Sequence, residues 1–475
     1  MPRQTLPARR LLQGAAAAAT AIALTAGTAW ACPPEPENRA GLTAEEGRDL
    51  GAHSSHGRRA EPASAARSDA IKGVERVGGV TLPEATSLMF MDYGKGRHKR
   101  SILYAVGKFG LKAFDITADP RVPKLVGSFD LPGYWQGEDS NIDHKRKIIY
   151  LSRDPRAFGG IPQTGDSGVY VIDASRPESL RKITYISVPA GHTASCVNDC
   201  QYLWSAGPAK ADWMPADWGG RPVYVTDVRD PARPKVSKTP IDTARNDGKT
   251  DYTHDIQVDA SGIAWASGRG GVRGYHTRGW HYDPVAKKFR KATAFDPVPY
   301  AGGGIDEAMT NSSFMHNSFR AVGRTANQAA DPRKWGNGQL LYITEETFKD
   351  GCANDGLLVI ASLKGSHDGQ GWRSTPEKKF RLRTVSTWSV AGQEGSDPAE
   401  VECSAHYFDV RDGVLVQSFY FQGTRFLDVR DPTNIKQVAY FRPAETSSYQ
   451  PYWHGDYVYV ADHKRGIDVL KPTFR

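Results

Sequence analysis

The sequence predicts an all-β chain, a seven-bladed β-propeller closed by an N-terminal strand that completes the last blade. Three observations carry that prediction. One strand-and-turn unit recurs along the chain, four histidines keep the same place in that unit, and the two ends of the repeat are incomplete in complementary ways. A fixed recurring interval is the mark of a repeated structural unit. Complementary half-units at the two ends favour a ring over a solenoid, which would need caps.

The unit is clearest at its third strand and the turn after it: LKAFDITADPRVPKLVGSF (111 to 129), GVYVIDASRPESLRKITYI (168 to 186), RPVYVTDVRDPARPKVSKT (221 to 239) and TRFLDVRDPTNIKQVAYF (424 to 441). GLLVIASLKG (356 to 365) is a degenerate copy and GIDVLKP (466 to 472) a shortened one. Apolar residues alternate, as a strand requires. An Asp or Thr then closes the strand, because its side chain bonds nearby backbone donors, and a Pro in the loop ends ladder pairing. Second strands are as regular: ILYAVG, IIYLSRD, YLWSAG, IAWASG, LLYITEE, VLVQSFYF and YVYVAD, one for each of seven blades. The last unit stops after its third strand. GVERVGGVTLP (73 to 83) resembles a fourth strand with no preceding three. Pairing those two ends closes the ring.

Residues 1–31 read as an export leader, with Arg3, Arg9 and Arg10, an alanine-rich apolar run from Gly14 to Ala26, and the small-residue ending Ala29-Trp30-Ala31. The Arg9-Arg10 pair suggests the twin-arginine route, so a secreted, extracellular protein is expected. Trp30 makes a poor lipidation box before Cys32. Residues 32–72 are rich in Pro, Ala, Ser, Arg and Glu without apolar period and read as a flexible linker, leaving 73–475 for the propeller. No apolar run after the leader is long enough to cross a bilayer. The leader holds three basic residues and no acid, so 61 basic against 53 acidic residues becomes 58 against 53. That basic surplus is scattered, which argues against a nucleic-acid partner. A monomer is expected.

Five cysteines fit an oxidising compartment. Cys196 and Cys200 are close enough to bridge one hairpin, Cys352 and Cys403 form the natural second pair, and Cys32 is left over. The rival reading makes Cys196 and Cys403 soft metal ligands, since each lies within four residues of a repeat histidine. On a strand, Cys196 would share the face of His192 but lie about 13 Å further along, so disulfides are preferred.

His192, His254, His316 and His406 each stand just before the first strand of a blade, and the intervals from His192 to His254 and from His254 to His316 are both 62 residues. First strands line a propeller's channel, so four imidazoles are expected to converge at its mouth. At the equivalent place blade two offers Glu138, Asp139 or Ser140, blade one Thr86, and blade seven Tyr449 or Gln450. Glu307 and Asp306 could hang over the mouth. Imidazole binds copper, zinc or iron, and a ligating ring needs an acceptor on its other nitrogen, for which Asp255, Asn317 and Glu402 are nearby. The competing explanation is a repeated structural histidine that bonds a neighbouring strand. Ser404 with His406 lacks a nucleophile elbow, Asp139, Asp255 and Asp306 suggest an acid pair of untested spacing, and Gly302-Gly303-Gly304 precedes no phosphate-binding helix. The Trp204 to Trp218 stretch, with Trp213, reads as an aromatic insertion that packs over its blade.

The runs VYVIDASRP, VYVTDVRDP and FLDVRDP resemble the repeat of the LVIVD family of secreted or surface bacterial β-propellers. That resemblance implies fold and repeat over most of residues 73–475, and no particular reaction. More distantly, the histidine-lined repeats are similar to the selenium-binding protein or methanethiol oxidase group, which would imply a copper-dependent oxidase. That group's motifs do not match residue by residue. Two functions therefore follow as expectations. One is a propeller holding a transition metal or small polar ligand at the channel mouth, acting as a metal-dependent oxidase or hydrolase. The other is a non-catalytic extracellular module that meets a protein or cell-wall partner through its loops.

Overall fold

The computed structural model describes residues 68–131, 137–154, 167–207, 223–241, 253–268, 271–283, 286–300, 315–321, 338–346, 356–363, 382–398 and 403–474. The leader, most of the linker, Cys32, Cys352, Glu402, Asp306, Glu307, Gly302-Gly303-Gly304, Trp213 and Trp218 lie outside them.

Seven antiparallel sheets follow one another along the chain, each strand pairing with the next. Blade one runs from Ala85–Tyr93 to Lys124–Asp130, blade two from Asn141–Asp143 to Arg181–Ser187, and blade three from Thr193–Val197 to Lys235–Val236. Blade four begins at Thr253–Val258, blade five at Met315–Arg320, blade six at Phe408–Arg411 and blade seven at Ser448–His454. The ring closes as expected. Val74–Thr81 pairs antiparallel with Gly466–Pro472, from Val74 opposite Pro472 to Thr81 opposite Gly466.

Packing confirms the ring independently. Among the described residues, the buried apolar side chains form seven clusters, and each joins two neighbouring blades. Tyr104 and Val106 of blade one meet Ile149 and Leu151 of blade two, and so on round to Leu103 and Phe114 of blade one against Tyr459 and Val469 of blade seven. A four-stranded sheet cannot bury both its faces alone, so each blade depends on two neighbours.

The turn chemistry is also as expected. The acid that ends the third strand accepts the backbone N–H two residues on: Asp115 from Thr117, Asp173 from Ser175, Asp227 from Arg229 and Asp428 from Arg430, all at 2.9 to 3.0 Å. In blade three, a turn with positive φ at Asn198, Asp199 and Cys200 brings Cys200 back to Cys196, and the two are bridged. Cys403 is also disulfide-bonded. Neither sulfur is a free thiolate, so the ligand reading of these cysteines is corrected.

Two elements depart from the repeat. Ala70–Lys72, three residues read as linker, forms a fifth strand on blade six against Tyr440 to Arg442. Blade four carries an extra hairpin, Gly279–Asp283 with Lys288–Ala292, before its fourth strand. Among the described residues, no helix is long and apolar enough to cross a membrane.

Candidate metal centre

The position that aims at the axis is built by a backbone irregularity. In blades one, four, five and seven the register between first and second strands skips one residue, and the residues skipped are Thr86, His254, His316 and Tyr449. A bulge inserts an unpaired residue and re-aims its side chain. His192 and His406 reach the same place from just before their strands, His406 through its N–H to Ser418 O. Blade two joins through main-chain bonds to blade three: Glu138 N–H donates to His192 O and Ala194 N–H to Asp139 O. Thr86 donates to Gly137 O at 3.0 Å and fixes the approach to Glu138.

All four imidazoles converge on Glu138, and all five side chains are fully buried. One carboxylate oxygen contacts His192 Nε2 and lies 3.2 Å from His254 Nε2. The other lies 3.1 Å from His316 Nε2 and 2.7 Å from His406 Nε2. His192 Nε2 is 3.0 Å from His254 Nε2. The rings follow one another, His192 edge-on to His254 and the next two pairs tilted, with centroids 4.8, 4.4 and 4.1 Å apart. Glu346 lies 3.9 Å from His316 Nε2 and accepts the Tyr420 hydroxyl. Two overlapping groups, Glu138 with His254 and His316, and His316 with Glu346 and His406, bring their ligand atoms within 4.8 Å of one another.

The outer nitrogens decide what the inner ones can do. His254 Nδ1 is 3.1 Å from His316 O, and His406 Nδ1 is 2.7 Å from Tyr449 O. A carbonyl only accepts, so both Nδ1 atoms carry hydrogen. If those rings are neutral, each presents an Nε2 lone pair to a carboxylate, which is repulsive. The arrangement needs positive charge at its centre, supplied either by protons on the rings or by a metal ion.

The electrostatics show the same demand. Burial raises the Glu138 carboxyl, but the charges of His192, His254 and His316 hold it well below the usual range. Burial disfavours the His192 cation, yet Glu138 and Asp154, the latter 3.3 Å from His192 Nδ1, hold that ring well above its ordinary value. His316 is pushed well down by burial and by the charges of His406 and His254.

The expected residues do not all share this centre. Asp139 and Asp255 belong to an adjacent acid pair, both accepting from Gln257 Nε2 at 3.0 Å. Burial and then Asp255 hold Asp139 well above the usual range, and burial raises Asp255 to about 6. Asp255 is therefore not the acceptor for His254, whose outer nitrogen goes to a carbonyl. Thr86 and Gln450 serve the backbone, Gln450 by accepting Leu88 N–H at 2.6 Å. Sequence reasoning missed Asp154, Glu346, Tyr420 and Gly207. The signal was present: IIYLSRD and LLYITEE both end a second strand on an acid.

No known family's sequence profile matches this chain, and no curated protein matches it by sequence. Solved structures with similar shape are β-propellers. A periplasmic gluconolactonase from Pseudomonas aeruginosa is 16% identical over 79% of this chain and 88% of its own, with a TM-score of 0.44. The WD40 propeller domain of Doa1 is 9% identical over 84% and 97%, with a TM-score of 0.47. A catalytically inactive virginiamycin B lyase from Staphylococcus aureus is 8% identical over 84% and 99%, with a TM-score of 0.44. Likeness at this level carries nothing about reaction or ligand, so the functional argument stays with the site.

Proposed function

We propose that this chain is a secreted propeller of the LVIVD kind whose channel holds one transition-metal ion, bound by His192, His254, His316 and His406 with Glu138, and that it is a metal-dependent enzyme. The observation that carries this reading is the convergence of four Nε2 atoms on a single buried carboxylate, with two outer nitrogens committed to carbonyls. Hydrogen bonds that fix the outer nitrogen are what metal-ligating histidines require. Four imidazoles and a carboxylate exceed the three or four protein ligands zinc usually takes. The donor count favours iron or copper, and with them oxidation of a small molecule over hydrolysis. When bound, the ion would supply Lewis acidity and one-electron chemistry. The protein's own contribution is orientation of five ligands and exclusion of bulk water.

Full burial of all four rings favours a second reading, in which protons replace the metal and the histidines are a structural hub of a non-catalytic interaction module. Metal analysis separates the two. Protein purified with iron, copper and zinc available is expected to hold about one ion per chain, and His254→Ala and His316→Ala to lose it while chelation lowers the wild-type melting temperature. A wild-type chain that takes up none of the three metals, and whose variants only melt earlier, would establish the structural hub.

A further inference from the structure

Among the described residues, the extra hairpin of blade four has no counterpart in the other six blades, and its two faces differ. Trp280 stands opposite Lys291 and Tyr282 opposite Phe289, which places these four residues on one face. The other face carries His281 and Arg290. His281 stacks on His276 with centroids 3.7 Å apart, Arg290 pairs with the buried Asp283 and donates to Pro297 O at 2.6 Å, and this side is fastened to the blade. The free face gathers three large exposed aromatics: Trp280 is 69% exposed, Tyr282 51% and Phe289 70%. Lys291 stands on that face, Lys287 and Lys288 are exposed at the turn end of the hairpin, and no carboxylate among the described residues pairs with the three.

We propose that this hairpin is a wedge that docks the propeller onto an anionic lipid surface. Area argues against a folded protein partner. Three aromatic side chains of about 150 to 250 Å² each, exposed by about half to seven-tenths, offer roughly 300 to 450 Å², against about 800 Å² per partner in a stable protein interface. Geometry argues against sugar stacking, because the Tyr282 and Phe289 rings cross at 68° and make no flat platform. Trp and Tyr beside Phe suit the boundary between headgroups and acyl chains, where a ring body is apolar and its edge wet. Three unpaired lysines supply charge complementarity to anionic headgroups. This inference is independent of the metal centre.

The test is co-sedimentation of the full chain with phosphatidylglycerol-containing vesicles and with pure phosphatidylcholine vesicles. The wild type is expected to bind the anionic vesicles and to release in high salt. W280A/F289A should bind at least about tenfold more weakly, and K287E/K288E/K291E should lose the preference for anionic lipid. V122A, at an exposed apolar residue of blade one, should bind as wild type. Thermal melts guard against misfolding, and W280A and F289A alone replace the double variant if it melts early. Failure of the wild type to bind anionic vesicles overturns the proposal. So does unchanged binding by the aromatic variants, or capture of an acidic polysaccharide or a protein that those variants abolish while vesicles stay unbound.

Discussion

Gly207 sits where a methyl group has no room. Its φ is +110°, and a Cβ there would run into Cβ of His192. Gly392 also has positive φ, +69°, but faces open space. Gly392→Ala therefore reports backbone strain alone, of about 1 kcal/mol. Gly207→Ala adds displacement of His192, and is expected to cost about 1 to 3 kcal/mol and to reduce metal content. Paired melts and metal analyses of the two variants measure the difference. Glu138→Gln goes further, because the two explanations of the centre give it opposite signs. In a metal site whose apo rings are neutral, the Gln amide donates to their Nε2 lone pairs, so the apo variant melts no lower than apo wild type, while loss of an anionic ligand lowers metal content. In a hub of protonated rings, the substitution strips a buried counter-charge and costs about 3 to 5 kcal/mol. At this scale the sequence was informative about the four histidines, because equal intervals betray equal positions for His192, His254 and His316, and His406 precedes the same alternating run. It could not choose among Glu138, Asp139 and Ser140, since which of three consecutive polar residues faces the axis depends on how blade two pairs with His192 and Thr193. Asp154 reaches His192 through the packing of blade two on blade three, and Glu346 reaches His316 through the first hairpin of blade five, so neither pairing shows as an interval in the sequence.

At the scale of the element, the bulge and the inserted hairpin were both hidden. A bulge changes register by one residue without altering alternation, and nothing in THDIQV or MHNSFR marks the skipped histidine. GWHYD and KFRKA alternate like any strand pair, so a hairpin added beside a blade reads as part of it. Its clasp makes a pH prediction. Burial and then the charge of His281 push His276 down to about 4, with the tilted ring of Tyr300 at 5.4 Å and Arg320 and Asp259 also facing it. The unfolded chain has an ordinary imidazole near 6.5. Between those values the unfolded state binds a proton that the folded state does not. The stability present above about pH 6.5 is therefore lost progressively as pH falls toward 4. Melting temperatures of wild type and His276→Phe between pH 7.5 and 4.5 should show a shallower fall for the variant. Amide exchange should quicken first in Gly279–Asp283 and Lys288–Ala292. Equal slopes in the two proteins would remove the clasp from the account.

For the whole molecule, what was legible was the architecture. Seven second strands, a closing Asp in most third strands and two complementary half-blades suffice to fix a ring, because each describes local alternation or a turn. Ala70–Lys72 was not legible, since three residues are too few to show a period. The two N-terminal strands also differ in what they hold, which a truncation series can resolve. Removing residues up to 67 touches no described strand and should leave the melting temperature unchanged. Removing residues up to 73 deletes the edge strand on blade six and the exposed Lys72–Glu394 ion pair, which solvent screens. Removing residues up to 81 deletes Val74–Thr81, opens the edge of Gly466–Pro472, and takes Val74 from one inter-blade cluster and Val77 and Val80 from the next. A fully buried valine is worth about 1.5 to 3 kcal/mol, and an open sheet edge invites pairing with another chain. The third truncation should thus lose about 10 °C or more of melting temperature, or aggregate, while the second stays close to the first. Because blades six, seven and one share those clusters, the same cut should also loosen His406 and lower metal content, and a truncated chain that melts and binds like wild type would mean that the ring does not hold the centre together.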